Sequence, residues 1–454
     1  MISDPIVKTS EIPYEESKGS SKNKIEKITH SPEETVLREF NKRYAIVRTS
    51  TTYILVQKNE TCFELDTRHS FLNFHENDYF LTSEGKSKNK AKFWLKHPLR
   101  RTFENIVFDP LRPGDYGGNY NIFKGFALVP IKGDCSLYWQ HVHEVICRGN
   151  FEYFLYVRKW MACVIQKPNL LATALVLRGL QGTGKNKFVE YFGRLFSPHF
   201  LTVTNLEHVT GKFNNHLKYA YLIHANEAIW GGSKREVGAI KALITDPTII
   251  VEGKGKDAVP VDNCRHLIVS SNEDWAVPMD LDDRRFFVLD VSSHRKEDVC
   301  YFKALELQMH SKGMNALLFD LIQEDLTDYD PRKMPANDFG FDMKMKAASS
   351  VEKYIYEALK EGKFNLTPGS DQSAWRPMSC ERVYSYYKTW VEYEGLKREV
   401  SAEFGKRLKR ILVVEKSRRW LGDIRVWGYE FTSLEASRRS FEKFTKQSSK
   451  IWED

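Results

Sequence analysis

One segment of the chain has the residue types and spacing that hold a chain of phosphates. Residues 179–186 are Gly-Leu-Gln-Gly-Thr-Gly-Lys-Asn, and they follow an apolar run over residues 174–178. Between a strand and a helix, such a loop surrounds phosphate oxygens with backbone N–H groups, and its lysine reaches the β- and γ-phosphates. A simple glycine turn before a helix is the alternative. The residues that we expect to contact a nucleotide are Gly179, Gly182, Thr183, Gly184, Lys185, Asn186 and Lys187.

Polar side chains end the next two strand-like runs. Residues 219–225 lead into Asn226 and Glu227, and residues 266–271 lead into Asn272. The carboxyl ends of parallel strands share one edge of a sheet, so these side chains should face the phosphates. We expect Glu227 to be the base that orients an attacking water, and Asn272 to contact that water or the γ-phosphate. A surface carboxylate and an ordinary turn are the alternatives.

Two amides stand where a nucleotide-hydrolysing site usually holds its metal ion. Asn186 follows the lysine, where a Ser or Thr hydroxyl normally contacts Mg²⁺, and Asn226 occupies a position at which an acidic ligand is common. An amide oxygen can ligate Mg²⁺, although it is not the usual choice. The sequence therefore predicts ATP and Mg²⁺ as ligands, with Asn186 and Asn226 at the metal and its affinity open.

Two arginines come directly before a further strand-like run. Arg284 and Arg285 precede residues 286–289. An arginine at such a place can enter the site of a neighbouring subunit and stabilise charge on the transferring phosphoryl group. Pairing with Asp282 or Asp283 inside the same subunit is the alternative.

Basic residues cluster at two other places. Residues 249–261 form an apolar run, a Gly-Lys-Gly-Lys tip with Lys254 and Lys256, and a second apolar run, which predicts a hairpin. A basic helix over residues 403–411 presents Lys406 and Arg407, and a hairpin with its turn at residues 422–423 follows. This C-terminal region has the composition to hold duplex DNA or to dock a protein. Two tryptophans lie among its basic residues, and core packing explains tryptophans more often than base stacking does.

Composition narrows the class of protein. The 454 residues are 42% hydrophobic and 13% aromatic, which suffices for several buried cores. The formal charge of +8 is compatible with a polyanionic partner. The seven cysteines form no C-x-x-C pair, so they predict neither a zinc site nor a disulfide framework. No apolar run has the length of a membrane span, and we expect a cytoplasmic protein without a membrane partner.

The order of elements predicts an α/β protein with a largely parallel sheet. We expect a disordered lead-in over residues 1–30 and a small α+β region over residues 31–92, which a capping box at Ser31 opens. A helical region should follow over residues 93–168, and an ATPase core over residues 169–335. Helix, helix, basic helix and hairpin over residues 345–454 predict a winged-helix-like basic domain.

Taken together, these motifs resemble the superfamily 3 helicases, and more narrowly the helicase portion of phage and plasmid primase-helicases and their poxvirus and virulence-associated relatives. The resemblance covers residues 93–291 well and the flanks only by architecture. It is carried by residues 179–186, 226–227, 241–256, 271–272 and 283–286, and by residues 107–110, 121–126 and 160–168 before them.

The resemblance implies an AAA+-like core, a hexameric ring, ATP hydrolysis between subunits and movement along single-stranded or forked DNA, usually 3′ to 5′. It also implies that Lys254 or Lys256 grips the DNA backbone inside the ring. Family members often carry a primase-polymerase before the helicase. About ninety residues precede the matching region here, too few for that module, so we expect priming to be absent from this chain or to come from a primase or polymerase partner.

Three function classes remain open from the sequence. The leading one is an ATP-dependent DNA helicase for replication of a phage, virus or mobile element, acting in the host cytoplasm. The second is an origin-binding or partner-recruiting factor that uses ATP only to assemble, which the two amides at the metal positions keep open. The third, a small-molecule P-loop kinase, leaves the lysine hairpin and the paired arginines unexplained.

Overall fold

The structure, a computed structural model, describes residues 30–48, 52–58, 63–205, 207–227, 234–254, 258–272, 279–367, 375–421, 423–447 and 449–452. The predicted lead-in lies outside these residues, apart from its last residue, His30. Contacts divide the chain into two units, the first ending at Phe103 and the second continuing from Glu104. The division therefore falls later than the predicted boundary at residue 92.

The first unit is a small α+β fold. Ser31 opens its first helix with a capping box, since its hydroxyl accepts from the N–H of Glu34 and the Glu34 carboxylate accepts from the N–H of Ser31. A four-stranded sheet has the order β3-β2-β1-β6, and Trp94 and Phe71 fill the core. The elements are α1 (Pro32–Arg43), β1 (Tyr44–Arg48), β2 (Thr52–Gln57), β3 (Phe63–Asp66), α2 (Arg68–Phe74), β4 (Tyr79–Leu81), β5 (Ser87–Asn89), α3 (Lys90–Lys96) and β6 (Thr102–Phe103).

The second unit is built around a five-stranded parallel sheet. Its strands are β9 (Ala174–Arg178), β10 (Phe200–Val203), β11 (Leu222–Asn226), β14 (His266–Ser271) and β15 (Phe286–Asp290), in the order β10-β11-β14-β9-β15. Strands β7 (Asn105–Val107) and β8 (Asn119–Asn121) precede it, and the pair β12 (Thr248–Val251) and β13 (Val259–Asp262) stands apart from it.

Helices cover both faces of the sheet because its strands are apolar on both sides. Along β9, Leu175 and Leu177 enter one core, whereas Ala174 and Val176 enter the other. The helices are α4 (Ser136–Gln140), α5 (Phe151–Gln166), α6 (Lys185–Arg194), α7 (Glu207–Thr210), α8 (Lys234–Thr245), α9 (Val299–Gln308), α10 (Met314–Gln323) and α11 (Asp338–Ala347), with a π-helical turn at His141–Ile146.

The C-terminal part has its own core and its own three-stranded sheet. Its elements are α12 (Ser350–Glu361), β16 (Met378–Ser379), α13 (Cys380–Tyr393), α14 (Ser401–Ile411), β17 (Val414–Leu421), β18 (Ile424–Phe431) and α15 (Leu434–Thr445). Strands β17 and β18 form the predicted hairpin, with Leu421 paired to Ile424 across the turn. Among the described residues, no helix is both long and apolar enough to cross a bilayer.

Two contacts fasten this part to the sheet domain. The guanidinium of Arg410 on α14 lies 2.7 Å from the carboxylate of Asp282, just ahead of β15. Lys344 on α11 is buried, and its Nζ donates to the carbonyl of Thr445 at 3.1 Å. Burial lowers the pKa of Lys344 to about 8, although Asp283 acts in the opposite direction.

The buried lysine predicts a specific dependence of stability on pH. Below pH 8, Lys344 is charged in the folded and the unfolded chain, and the folded state bears the cost of burying that charge. Between about 8 and the ordinary lysine pKa of about 10.4, the unfolded chain binds more protons, so folding is favoured as pH rises. Relative to Lys344→Met, the wild type should gain on the order of 3 kcal/mol across this range, measured by urea unfolding.

The exposed neighbour Lys346 supplies the control, because Lys346→Met removes a lysine from the same helix without changing a buried charge. Its unfolding free energy should follow the wild type at every pH. Parallel pH profiles for the wild type and Lys344→Met would show that the buried amine is not the source of the effect.

Candidate nucleotide-binding site

The predicted phosphate-binding loop joins β9 to α6 and closes tightly around its glycines. Gly179, Gly182 and Gly184 all have positive φ, and Gly184 lies at the start of the helix with φ of 92°. A Cβ on Gly184 would come within 2.5 Å of the His141 ring and 2.8 Å of the Phe302 ring. Glycine is therefore required here by backbone conformation and by space. Helix α6 begins at Lys185, the lysine of the loop itself.

Lys185 turns its ammonium group back into the loop. Its Nζ donates to the carbonyls of Gly179 and Leu180, at 2.5 and 2.9 Å, and to Oδ1 of Asn272 at 2.8 Å. The side chain is buried, and burial lowers its pKa, an effect that the Glu227 carboxylate partly offsets. Three oxygen atoms thus compensate the charge of the Lys185 ammonium group. In a complex with a nucleotide, phosphate oxygens would take their place.

Glu227 and Asn272 meet at the same edge of the sheet. Nδ2 of Asn272 donates to a carboxylate oxygen of Glu227 at 2.8 Å, so one amide joins the lysine to the acid. Glu227 has a left-handed backbone, with φ of 51°, and its N–H donates to the carbonyl of Ser270. A non-glycine residue in this conformation costs of order 1–3 kcal/mol and points to a functional site. The structure thus brings Lys185, Asn272 and Glu227 together.

The two predicted metal-proximal amides have different surroundings. Oδ1 of Asn226 accepts from the hydroxyl of Ser270 at 3.1 Å, and that hydroxyl also contacts Nε2 of His224 at 2.6 Å. Burial lowers the pKa of His224 to about 4, so its ring is neutral at physiological pH. Asn226 therefore points toward the sheet, whereas Asn186 is exposed beside the loop. The described residues contain no cluster of three His, Cys, Asp or Glu side chains fit for a metal ion.

Two aromatic residues that the motif analysis missed shape this loop. Nε2 of His141 lies 3.2 Å from the carbonyl of Gly184, and its Nδ1 lies 3.1 Å from the hydroxyl of Tyr301. His141 belongs to the π-helical turn, and such turns recur at functional sites. Phe302 follows Tyr301 on α9 and lines the cleft. No local pattern could have found either residue, because both reach the loop from distant elements.

A cleft of about 390 Å³ opens in front of the loop. Glu227 is the one carboxylate among the described residues that line it, and Lys187, which also lines it, has its ammonium 3.6 Å from Glu306. Thr183 is buried, and its hydroxyl donates to the carbonyl of Leu180 instead of facing the cleft. The cleft is lined by Gln181, Gly182, Thr183, Gly184, Lys185, Asn186, Lys187, Glu227, Asn272 and Phe302.

Arg284 and Arg285 lie where the strands of the sheet begin, whereas this cleft lies where the strands end. The carbonyl of Arg285 accepts from the N–H of Ala174 at the start of β9, whereas the loop follows the end of that strand. The guanidinium of Arg285 is 3.6 Å from Asp283, which supports the intrachain alternative for that residue. Arg284 is exposed and forms no ion pair with any described residue.

Arg332 joins this arginine pair, although no motif pointed to it. A cavity of about 170 Å³ is lined by Arg284, Arg285 and Arg332, and none of the described residues that line it is a carboxylate. The hydroxyl of Tyr156 lies 2.6 Å from the carbonyl of Pro331 and 2.6 Å from the hydroxyl of Thr173, which holds the Arg332 loop beside β9. A lone arginine in a loop has no sequence pattern, so only the fold could reveal it.

The predicted DNA contacts have unequal surroundings. Strands β12 and β13 pair as an antiparallel hairpin, and Lys254 is exposed near its tip, whereas Lys256 lies outside the described residues. On α14, the guanidinium of Arg407 lies 3.4 Å from Glu403 and 3.6 Å from Glu352. Lys406 is exposed, with Glu403 at 3.8 Å. Ion pairs within the chain therefore already engage Arg407.

Comparison with known proteins finds one matching family and one related phage protein. Residues 177–285 match a family of unknown function, DUF5906. A DNA primase-polymerase of Nitratiruptor phage NrS-1 is 28% identical over 205 residues. This match covers 42% of the chain and 28% of that relative's length. The chain is related to the NrS-1 primase-polymerase.

Solved structures of the same relative share the fold. The apo structure of the NrS-1 C-terminal region superimposes with a TM-score of 0.66 at 15% identity, covering 89% of this chain and 100% of that one. Its A form gives a TM-score of 0.65 at 16% identity, with 87% and 99% covered. The stretch that matches DUF5906 contains Lys185, Glu227, Asn272, Arg284 and Arg285.

The crowding at Gly184 gives a direct test of how the loop is held. Gly184→Ala places a methyl group against the buried His141 ring and the partly buried Phe302 ring, in addition to the strain of a left-handed alanine. Gly182→Ala meets only that strain, of about 1–2 kcal/mol, because its nearest neighbour is 3.8 Å away. Thermal unfolding should show a clearly larger fall in midpoint for Gly184→Ala.

A second substitution checks the cause. In the Gly184→Ala background, His141→Ala removes one of the two clashing rings and should recover part of the lost stability, whereas it should destabilise the wild type. Additive effects of the two substitutions would mean that the His141 ring does not press on the loop.

Proposed function

We propose that the chain is an ATP-dependent, ring-forming DNA helicase that serves phage DNA replication. The observation that carries the proposal is the chain of hydrogen bonds from Lys185 through Asn272 to Glu227 at the mouth of a glycine loop. An ammonium for the phosphates, an amide beside them and a carboxylate for the water are the groups that ATP hydrolysis needs.

The order of the strands supports hydrolysis over simple binding. Strand β14 lies between β9, which leads into the loop, and β11, which leads into Glu227. Two strand spacings of about 4.8 Å therefore separate the loop from the acid, which leaves room for a γ-phosphate and one water between them. This arrangement supports the proposal of an AAA+-like P-loop core, which the resemblance to superfamily 3 helicases implies.

The residues of the cleft fit ATP better than they fit a strongly bound metal. Glycines at positions with no space for a side chain and a buried lysine suit a triphosphate. Mg²⁺ bound with ATP would neutralise charge on the phosphate oxygens, and it usually keeps several waters. Asn186 is the amide placed to hold it, since Asn226 already accepts a hydrogen bond from Ser270.

The position of the arginines supports the proposal of a ring. From Arg285 to the level of the loop, β15 rises by roughly 20 Å, which is too far for an arginine side chain to reach within one subunit. Arg284, with Arg332 beside it, is therefore proposed to act on the nucleotide of a neighbouring copy. Head-to-tail contacts of this kind close into rings when the rotation between copies permits, and we propose a homo-hexamer.

We propose DNA as the polymer along which the ring moves, and two features support this proposal. The exposed Lys254 lies at the tip of a hairpin that stands apart from the nucleotide cleft, and the related NrS-1 protein is a phage DNA primase-polymerase. The order α12, β16, α13, α14, β17 and β18 supports the proposal of a winged-helix-like domain, which would suit contact with DNA. Proposed partners are single-stranded and forked DNA, further copies of the chain, and a primase or polymerase in the host cytoplasm.

A second candidate is an ATP-assembled origin-binding or recruiting factor with little unwinding. The amides at positions 186 and 226 favour it, because a weakly held Mg²⁺ slows turnover. Strand displacement on a forked substrate separates the two functions. A helicase displaces the strand with ATP, whereas an assembly factor binds the fork and leaves it paired.

The nucleotide site is tested by a pair of substitutions. Lys185→Ala should lose ATP binding, because the site loses its buried cation. Glu227→Gln should keep ATP binding but lose hydrolysis, because an amide does not polarise the water. Equilibrium binding of a fluorescent ATP analogue and phosphate release measure the two steps. Normal turnover by Glu227→Gln would mean that another carboxylate is the base.

Mixing experiments test the arginines in trans. Arg284→Ala should bind ATP yet lose about 10³-fold or more in hydrolysis, as expected for an arginine finger. Arg332→Ala should follow with a smaller loss, and Arg285→Ala should lose less than Arg284→Ala because Arg285 already faces Asp283. Arg439→Ala, at an exposed arginine of α15, is the matched control.

Mixed rings of Arg284→Ala and Lys185→Ala should regain part of the activity, since each subunit supplies the group that its neighbour lacks. Assemblies demonstrated to contain both variants, yet inactive, would place the arginine in its own subunit.

A further inference from the structure

The hairpin of β17 and β18 has one face that is buried near the base of the hairpin and exposed near its turn. Near the base, Lys416 pairs with Tyr429, and Tyr429 is buried in the C-terminal core. Side chains alternate along a strand, so the same face continues toward the turn. There it consists of the paired residues Arg418 with Trp427 and Trp420 with Arg425, all of them exposed.

Both tryptophans on this face are exposed, contrary to the preference for core packing that the sequence suggested. Trp420 is 70% exposed and Trp427 is 48% exposed, whereas Trp94 and Trp160 elsewhere are fully buried. An indole buries large apolar area when it is covered, so two of them left in water on one side of a hairpin indicate a surface that a ligand covers.

The charges around the tryptophans restrict the ligand. The ammonium of Lys416 and the guanidinium of Arg418 each lie 5.2 Å from the centre of the Trp427 ring. Lys416, Arg418 and Arg425 form no ion pair with a described residue. Glu415 and Glu430 are cross-strand neighbours on the opposite face of the hairpin. Among the described residues, the exposed face therefore combines cations and aromatic rings without a carboxylate, which suits a polyanion.

The basic helix α14 adds to the same region. Burial raises the pKa of Cys380 at the start of α13, and the positive charges of Lys416 and Lys409 both act against that rise. Lys409 is exposed on α14. In contrast, Arg407 on the same helix is engaged by Glu403 and Glu352. Lys416, Arg418 and Arg425 on the hairpin therefore differ from Arg407, whose charge is already paired within the chain.

We propose that the hairpin face, defined as Lys416, Arg418, Trp420, Arg425 and Trp427, binds single-stranded nucleic acid. The indoles stack on unpaired bases, and the three cations contact the phosphates. A duplex would leave the tryptophans in water, because its bases present no free ring face. The inference rests on the proposed function in taking DNA as the ligand, but it requires neither ATP nor a ring.

The test measures binding of end-labelled oligo-dT to the full chain without nucleotide, by fluorescence anisotropy over a range of salt. Replacing both tryptophans with alanine should weaken binding about tenfold or more per stacked base, with little change in salt dependence. Trp420→Phe with Trp427→Phe should keep most of the affinity, because phenyl rings also stack. Lys416→Ala with Arg418→Ala should lower the slope of log Kd against log salt by about 1.4, as two phosphate contacts are lost.

Two controls lie in the same domain. Tyr393→Ala removes an exposed aromatic residue of α13, and Lys443→Ala removes an exposed cation of α15. Both should bind oligo-dT like the wild type. The inference is overturned if the double tryptophan variant also binds like these controls, or if it loses affinity only for a duplex. A normal oligo-dT affinity together with failure to bind a protein partner would overturn it in favour of a protein-docking surface.

The outcome is separable from that of the proposed function. Lys185→Ala should bind oligo-dT normally, since its defect concerns ATP. If the hairpin variants lose oligo-dT binding while the wild type hydrolyses no ATP, the hairpin site stands and the helicase proposal fails. If ATP-driven unwinding is present but the tryptophan variant binds oligo-dT normally, only the hairpin site fails.

Discussion

A buried ammonium group has to be surrounded by oxygen atoms, and this requirement organises the nucleotide cleft. Lys185 meets it with two carbonyls of its own loop and with Oδ1 of Asn272. The other end of the Asn272 amide faces the Glu227 carboxylate. An amide is suited to this place because it offers an acceptor to the cation and a donor to the anion from one rigid group. The position of Glu227 thus depends on the lysine through a single side chain, and the left-handed backbone at Glu227 is the strain that this arrangement carries.

The central sheet separates two groups of charged residues. The loop, Asn272 and Glu227 lie where its strands end, whereas Arg284, Arg285 and Arg332 lie where the strands begin. Neither group can reach the other within one chain. Under the proposed function, a head-to-tail neighbour brings the two groups together. Each sheet then contributes the loop, Asn272 and Glu227 to one site and its arginines to the site of the next copy.

The sequence predicted the elements whose periodicity is local. The strand–loop–helix over residues 174–194 and the hairpin with Leu421 paired to Ile424 follow from apolar runs and turn residues. What could not be predicted depends on contacts between distant segments. The side chain of Asn226 turns to Ser270, and the Tyr156 hydroxyl brings Arg332 beside the other arginines. The exposure of Trp420 and Trp427 belongs to the same class, because a strand pattern gives the face of a side chain but not whether anything covers that face.

The C-terminal domain contacts the end of the sheet at which the arginines lie. Arg410 on α14 contacts Asp282, and the adjacent Asp283 contacts Arg285 and Lys241. Lys344, buried nearby, links α11 to the end of α15. These contacts connect the domain that carries the hairpin face to the end of the sheet where Arg284 and Arg285 lie. If both proposals hold, a nucleic acid on the hairpin is thus coupled to the arginines that we propose to act on a neighbouring copy.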